Sequence, residues 1–233
     1  MDQFFPNIGV SAVKVLRRAG CEVVFDDRQT CCGQPAYNTG YRKTARKFAE
    51  RFIEIFEESD ADVIVSPSGS CVSMVKHFHE LFPHDKSWRG RAQTIAARTH
   101  EFSSFLINVL KIENVGASFS GCVTWHDACH GLRELGLSRE PRTLLKNVEN
   151  LDFVEMPDSE GCCGFGGTFS IKYPEISVGI LDNKLEGIER SGAGMVASCD
   201  ASCLMQINGR LSRLGSKIKT IHIAEILASG KED

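Results

Sequence analysis

Cys162-Cys163-Gly164 repeats Cys31-Cys32-Gly33 at an offset of 131 positions, and the likeness spreads outward from both copies. Downstream of the first copy lies Ser66-Pro67-Ser68-Gly69-Ser70-Cys71. Downstream of the second, at an offset of 132, lies Ser198-Cys199-Asp200-Ala201-Ser202-Cys203. The interval from the second cysteine of each pair to the downstream cysteine is 39 residues in the first half and 40 in the second. A third echo sets Thr99-His100-Glu101-Phe102 against Ile221-His222-Ile223-Ala224, with His100 matched to His222 at an offset of 122. Three echoes in one order mark an internal duplication. The shorter last offset leaves about ten more residues in the first half, assigned to the polar stretch from His84 to Arg91.

The local patterns agree between the halves. Ala61-Asp62-Val63-Ile64-Val65 reads as a short strand ending at Ser66-Pro67, and Gly194-Met195-Val196-Ala197 is its match before Ser198. Helical spacing runs from Arg42 to Glu58, with Ala45, Phe48, Ala49, Phe52, Ile53 and Phe56 as the stripe. The counterpart runs from Pro174 to Arg190, with Ile176, Val178, Ile180, Leu181, Leu185 and Ile188. A further helix is expected from Ser202 to Leu214, and Gly121 to His126 reads as a strand leading to Cys129. Cys21 to Phe25 also reads as a strand, and Phe4 to Leu16 as a helix. Strands alternating with helices imply parallel βαβ units. The expected fold is therefore α/β: two tandem, pseudo-symmetric Rossmann-like domains with small parallel sheets, residues 1–117 and 118–233, their cysteine-bearing loops facing each other.

The chain has 233 residues, 42% hydrophobic and 24% charged, enough for a normal core. Lys+Arg 27 against Asp+Glu 30 leaves a net charge of −3, which argues against nucleic acid as a partner, since phosphate binding needs a cationic face. No apolar run approaches the ~20 residues of a transmembrane helix. Met1 to Pro6 has neither the basic start nor the apolar stretch of a secretory leader, so a cytoplasmic location is expected.

Ten cysteines stand out in such a chain: Cys21, Cys31, Cys32, Cys71, Cys122, Cys129, Cys162, Cys163, Cys199 and Cys203. A reducing compartment disfavours a disulfide framework, and adjacent cysteines are poor disulfide partners. Clustered reduced thiols point to a soft metal, an iron–sulfur cluster or thiol chemistry. The second half offers Cys129, Cys162, Cys163 and Cys203, separated by 33, 1 and 40 residues, a set gathered only by folding. Four thiolates suit a [4Fe–4S] cluster, with tetrahedral zinc the alternative; the short C-x₂-C spacing of a zinc ribbon is absent. The first half offers Cys31, Cys32 and Cys71. The 33-residue spacing carried back from Cys31 falls just before Met1, so a first-half counterpart of Cys129 is expected upstream of a truncated start.

These motifs resemble the cysteine-rich "CCG" domain found in heterodisulfide reductases, in iron–sulfur subunits of glycolate oxidase and in the lactate utilization protein A family. The last is the nearest in pattern. The resemblance runs through Asp2-Gln3-Phe4-Phe5-Pro6-Asn7, Thr30-Cys31-Cys32-Gly33-Gln34-Pro35, Ser70-Cys71, Cys162 to Phe169, and His222-Ile223-Ala224-Glu225. It implies two tandem CCG domains, cysteine-held iron–sulfur clusters, and work with partner subunits of a complex that oxidises L-lactate to pyruvate. The downstream motif departs from the reductase pattern, with Ser at 68 and the extra thiol, Cys199, one residue out of register. The expectation is therefore an ordinary four-thiolate cluster in the second half and an incomplete set in the first.

Several neighbours carry open readings. Cys21 and Cys122 lack repeat partners and read as small buried apolar residues, while Cys199 is either a fifth ligand or a strand-end residue. His126 and His130 flank Cys129 and either ligate, move protons or hydrogen-bond within the loop, the last being the commoner role. His100 and His222 read as helix-start residues satisfying backbone groups. Ser70 and Ser202 either donate toward cluster sulfur or cap the following helix. Asp26-Asp27-Arg28 reads as a solvated turn, and Lys43, Arg46, Lys47 and Arg51 as a solvated helix face.

Overall fold

In the computed structural model, which describes residues 4–230, six strands form two parallel sheets. The leader-free reading of the first residues falls partly on 1–3, outside that range. Strands β1 (Ile64–Ser66) and β2 (Thr99–Glu101) pair in the first half. Strands β3 (Ser118–Trp125), β4 (Glu149–Phe153), β5 (Met195–Ser198) and β6 (Lys219–His222) build the second sheet in the order β4-β3-β5-β6. The chain runs from β3 outward to β4, then crosses back to β5 on the other side. Such a reversal opens a crevice at the carboxyl ends of the two central strands, where ligands of open α/β sheets bind. Cys129 and Cys203 lie just beyond β3 and β5, in the first turns of the helices Cys129–Leu135 and Ala201–Arg213.

The repeat accounts for the helices. Pro6–Arg18 begins with proline at its first position, where the missing N–H costs nothing. Arg42–Glu57 and Pro174–Arg190 occupy the two expected positions. Ala45, Ala49 and Ile53 are buried in the first as Ser177, Leu181 and Leu185 are in the second, a constant offset of 132. Ile176, placed in the buried stripe by spacing, is instead exposed at the first turn. The extra residues of the first half extend beyond His84–Arg91 into a whole helix, Lys86–Arg98.

One strand expectation fails for a physical reason. Cys21 to Phe25 has no strand pairing, and Val24 and Phe25 are 72% and 63% exposed. Its second-half counterpart, β4, is an edge strand that pairs only with β3. Among the described residues of the first half no strand stands where β3 stands in the second, so the backbone at 21–25 has nothing to bond to.

The halves interlock. Pro6–Arg18 packs against Ile223–Ala228, and Arg139–Lys146 packs against Phe102–Ser104, so each half lends a helix to the other's C-terminal turn. Arg18 donates to the carbonyls of Leu227 at 3.3 Å and Ala228 at 3.4 Å, a cation at a helix C-terminus. The larger core draws on both halves, from Ile8, Ala12 and Val15 to Val123, Trp125, Val196 and Leu227. The paired-cysteine loops also meet, with Thr39 Oγ1 3.1 Å from Thr168 Oγ1. The expected α/β duplication with small parallel sheets and facing cysteine loops is the fold observed.

The sheet register corrects one pairing of the repeat. Ser66 lies opposite Glu101 and Ser198 opposite His222, so Glu101, not His100, is the structural mate of His222. Both cap the helix that follows: Glu101 accepts from Ser104 N at 3.0 Å, and His222 Nδ1 accepts from Ala224 N at 3.1 Å. Glu225 returns the bond by accepting from His222 N. His100 instead lies on β2 with its ring 5.9 Å from that of Phe105.

Candidate metal centre

Each Cys-Cys-Gly ends in a glycine with positive φ, +84° at Gly33 and +77° at Gly164. This reversal turns the first cysteine of each pair outward and the second inward: Cys31 and Cys162 are exposed, Cys32 and Cys163 buried. The following amide folds back, so that Gly33 N donates to Cys31 Sγ at 3.4 Å and Gly164 N to Cys162 Sγ at 3.3 Å. Two loops separated by 131 positions thus present their thiols in the same way.

In the first half, Cys32 is the hydrogen-bonding neighbour of both Cys31 and Cys71. Its contact with Cys31 draws that thiol down to about 6, against the opposing effect of burial. The same Cys32 contact lowers Cys71, while Cys32 itself is held well above the ordinary thiol range by those two partners and by burial. These three expected residues form one group.

In the second half, Cys163 Sγ lies 3.1 Å from Cys203 Sγ. These two sulfurs and a ring nitrogen of His126 lie within 4.8 Å of one another, all three residues buried. Cys162 adjoins Cys163, and that contact together with burial raises its thiol. Burial raises Cys129, with a further push from Cys162; the Cys163 contact pulls Cys203 down, but burial outweighs it, with smaller pushes from Asp200 and Cys129. Those mutual influences put Cys129, Cys162, Cys163 and Cys203 in one neighbourhood.

The remaining candidates lie at the margins of these groups or away from them. Cys21 packs at the edge of the larger core, and Cys122 is half-buried on β3. Cys199 is buried against Gly131, where an added Cβ would meet its sulfur at 3.5 Å, and burial pushes its thiol well up. His130 Nδ1 is 3.6 Å from Cys129 Sγ and its Nε2 is 4.0 Å from Glu134. Ser70 does not cap. Ser68 does, accepting from Cys71 N, while Ser70 Oγ donates to Asp200 Oδ1 at 2.6 Å across the duplication.

Three polar groups that the sequence did not single out hold the loops. Asp127 is gripped by Arg142 through bonds of 2.7 and 2.9 Å, and Trp125 Nε1 donates to it at 2.8 Å. Burial alone would raise Asp127; hydrogen bonds from Arg142 outweigh it and hold the carboxyl below its ordinary range. Lys184 is buried and donates to the carbonyls of Asp158 and Ser159, in the loop leading to Cys162. Asp200 accepts from Ser68, Ser70 and the Ser70 amide, and its charge opposes the lowering of Cys71 and adds to the raising of Cys129 and Cys203. It therefore lies between the two thiol groups. A motif search keyed to cysteine and histidine passes over such carboxylates and lysines because their partners are backbone groups or distant in sequence.

His126 is the other surprise. It is 1% exposed, and neither ring nitrogen has a hydrogen-bond partner. Burial, reinforced by the Lys184 charge, pushes it down to about 3, leaving a neutral ring. An orphaned imidazole among buried thiols is the arrangement expected where a soft metal supplies the missing partner. The donors present therefore fit a metal or iron–sulfur group.

The comparisons agree with this geometry. The cysteine-rich domain family, CCG, matches residues 1–76 and 123–208, the two stretches that carry all seven candidate ligand cysteines. Proteins named lactate utilization protein A are similar over nearly the whole chain. The Exiguobacterium protein is 48% identical over 229 residues, covering 98% of this chain and 94% of its own length. The Lysinibacillus sphaericus protein is 47% identical over 227 residues, covering 97% and 99%, and the Bacillus subtilis protein 45% identical over 229, covering 98% and 95%. With this identity over this span, the chain belongs to the lactate utilization protein A family of CCG cysteine-rich proteins.

Proposed function

We propose that this chain is an iron–sulfur, electron-transferring subunit of an oxidoreductase complex that oxidises L-lactate to pyruvate. The observation that carries the reading is the gathering of cysteines from a loop and a distant helix start beside a buried, unpartnered imidazole at the switch point of a parallel sheet. The names of the relatives supply the substrate. Cys129, Cys162, Cys163 and Cys203 would hold the cluster of the second half, [4Fe–4S] in type, and Cys31, Cys32 and Cys71 are the donors of the first. A bound cluster would supply one-electron redox chemistry, so the two electrons released from each lactate would pass singly.

The chain's own residues set the surroundings. Gly33 and Gly164 let the backbone amides reach the exposed sulfurs of Cys31 and Cys162, and hydrogen bonds of this kind raise the potential of thiolate-bound iron. Asp200, between the two groups, acts in the opposite sense on both. Arg142 and Lys184 fix the loops that carry Cys129 and Cys162. Domains divided at 117/118 would each contribute one thiol group, working in the cytoplasm with partner subunits that handle the hydroxy acid. Among the described residues no helix is long and apolar enough to cross a membrane.

The test is purification without oxygen, followed by iron and sulfide assay and electron paramagnetic resonance before and after reduction. Iron with acid-labile sulfide and a signal that changes on reduction is the expected result. Zinc without sulfide would instead make the chain a metal-stabilised assembly module. Turnover of a disulfide substrate by the isolated chain would make it a thiol–disulfide redox subunit.

A further inference from the structure

His126 follows β3 directly, and its backbone is pinned on both sides. Its amide donates to Ala197 O at 2.8 Å, and its carbonyl accepts from Ser198 Oγ at 3.0 Å. The backbone that carries the ring is therefore held against β5. His126 lies within 4.8 Å of Cys163 and Cys203 at a ring nitrogen, with all three residues buried and no hydrogen-bond partner at either nitrogen. Leaving a buried polar atom unpaired costs about 1–3 kcal/mol, so a native site that keeps such an atom needs a reason.

The distances provide one. An ion bound tetrahedrally, with metal–sulfur bonds of about 2.3 Å and metal–nitrogen bonds of about 2.0 Å, holds its donors roughly 3.5–3.8 Å apart. The three donor atoms lie within 4.8 Å of one another and the Cys163–Cys203 pair at 3.1 Å, so closing the trio around one ion takes shifts of about 1 Å at most. Cys129 and Cys162 belong to the same neighbourhood but not to this tight trio.

We propose that His126 is a metal ligand of the second-half site, one imidazole nitrogen sharing a thiophilic transition ion with the sulfurs of Cys163 and Cys203. His126 then adds a nitrogen donor to the thiolates already assigned to the second half, so that its donor set is mixed sulfur and nitrogen. The first half has only its thiol trio among the described residues, so the two sites differ in chemistry as well as in ligand count. Histidine ligation raises the potential of an iron centre above that of the same centre held by thiolates alone. This inference rests on the metal-centre reading above.

Zinc is the probe. The apo chain, kept reduced and loaded to saturation with zinc alone, is examined by X-ray absorption at the zinc edge. Wild type is expected to show sulfur at about 2.3 Å together with the scattering pattern of a bound imidazole. His126→Ala should lose the imidazole pattern and weaken zinc binding about tenfold or more, whereas His130→Ala should keep both. If His126→Ala fails to fold, the spectrum of His130→Ala still decides, since an imidazole pattern kept there excludes the other histidine beside Cys129. A wild-type shell without imidazole overturns the assignment of His126 and leaves the metal-centre reading intact. A chain that takes up neither zinc nor iron with sulfide overturns both.

Discussion

Asp200, at the start of the second-half helix that carries Cys203, accepts hydrogen bonds from Ser70 Oγ at 2.6 Å and Ser70 N at 3.1 Å, in the first-half helix that carries Cys71. A third bond, from Ser68 Oγ at 2.8 Å, completes the cradle, and Asp200 is only 2% exposed. His222 makes a second tie between the halves, its Nε2 lying 3.0 Å from Pro67 O. The two thiol groups are thus joined through buried polar contacts and not merely placed side by side.

Replacing Asp200 by alanine would strand two serine hydroxyls and an amide. The expected loss is about 3 kcal/mol of unfolding free energy, against about 1 kcal/mol for Ser70→Ala, where Asp200 keeps its other donors. Urea denaturation of both variants measures this, and equal losses would mean that Asp200 is not the hub.

Glu101 is wholly buried, one carboxyl oxygen has no partner, and burial pushes it up to about 7. Since the ordinary value is 4.5, the folded state binds a proton that the unfolded state releases between these two values. Stability should therefore fall as pH rises from 4.5 through 7, by on the order of 3 kcal/mol, and level off above. Glu101→Gln, which keeps an acceptor for Ser104, should remove that part of the pH dependence. The unfolding free energies of wild type and variant at pH 5 and pH 8 give the comparison, and parallel profiles would refute it.

Glycine at 164 is required twice over. Its φ of +77° disfavours any side chain, and an added Cβ would collide with the carbonyl oxygen of Ser177. Gly167 has φ +65° but open space around it. Gly167→Ala should cost about 1–2 kcal/mol, the left-handed penalty alone, while Gly164→Ala should cost more and lower metal content. Thermal denaturation together with metal analysis separates the two.

Arg142 and Asp127 form the clamp beneath the Cys129 loop. Arg142→Met leaves a buried carboxylate without its partner, and a loss of about 3–5 kcal/mol is expected; adding Asp127→Asn should recover part of it. A double variant no more stable than the single one would show that the pair does not act as a unit.

Much of this architecture is legible in the residues because duplication makes each half a check on the other. Cys31-Cys32-Gly33 and Cys162-Cys163-Gly164 locate the loops, and the buried stripes of Arg42–Glu57 and Pro174–Arg190 follow. Cys21 to Phe25 misleads because β-branched character describes a strand's side chains but not whether a neighbouring backbone is present to pair with it. His100 misleads because identity of residue type draws the repeat one position away from the sheet register, which matches Glu101 with His222. Asp200, Arg142 and Lys184 stay hidden in the sequence, since a buried polar group is recognised by its partners, and those partners lie up to 132 positions away. His126 is one of two open candidates beside Cys129, and burial is what distinguishes it from His130.

Whether distant sulfurs share one inorganic centre is decided by counting iron and acid-labile sulfide per chain in protein prepared without oxygen. Cys163→Ser should lose most of the second-half iron and sulfide, while Cys21→Ser, altered at the edge of the core, should retain the wild-type amount. Equal iron and sulfide in the two variants would show that Cys163 holds no metal and that its approach to Cys203 is only packing.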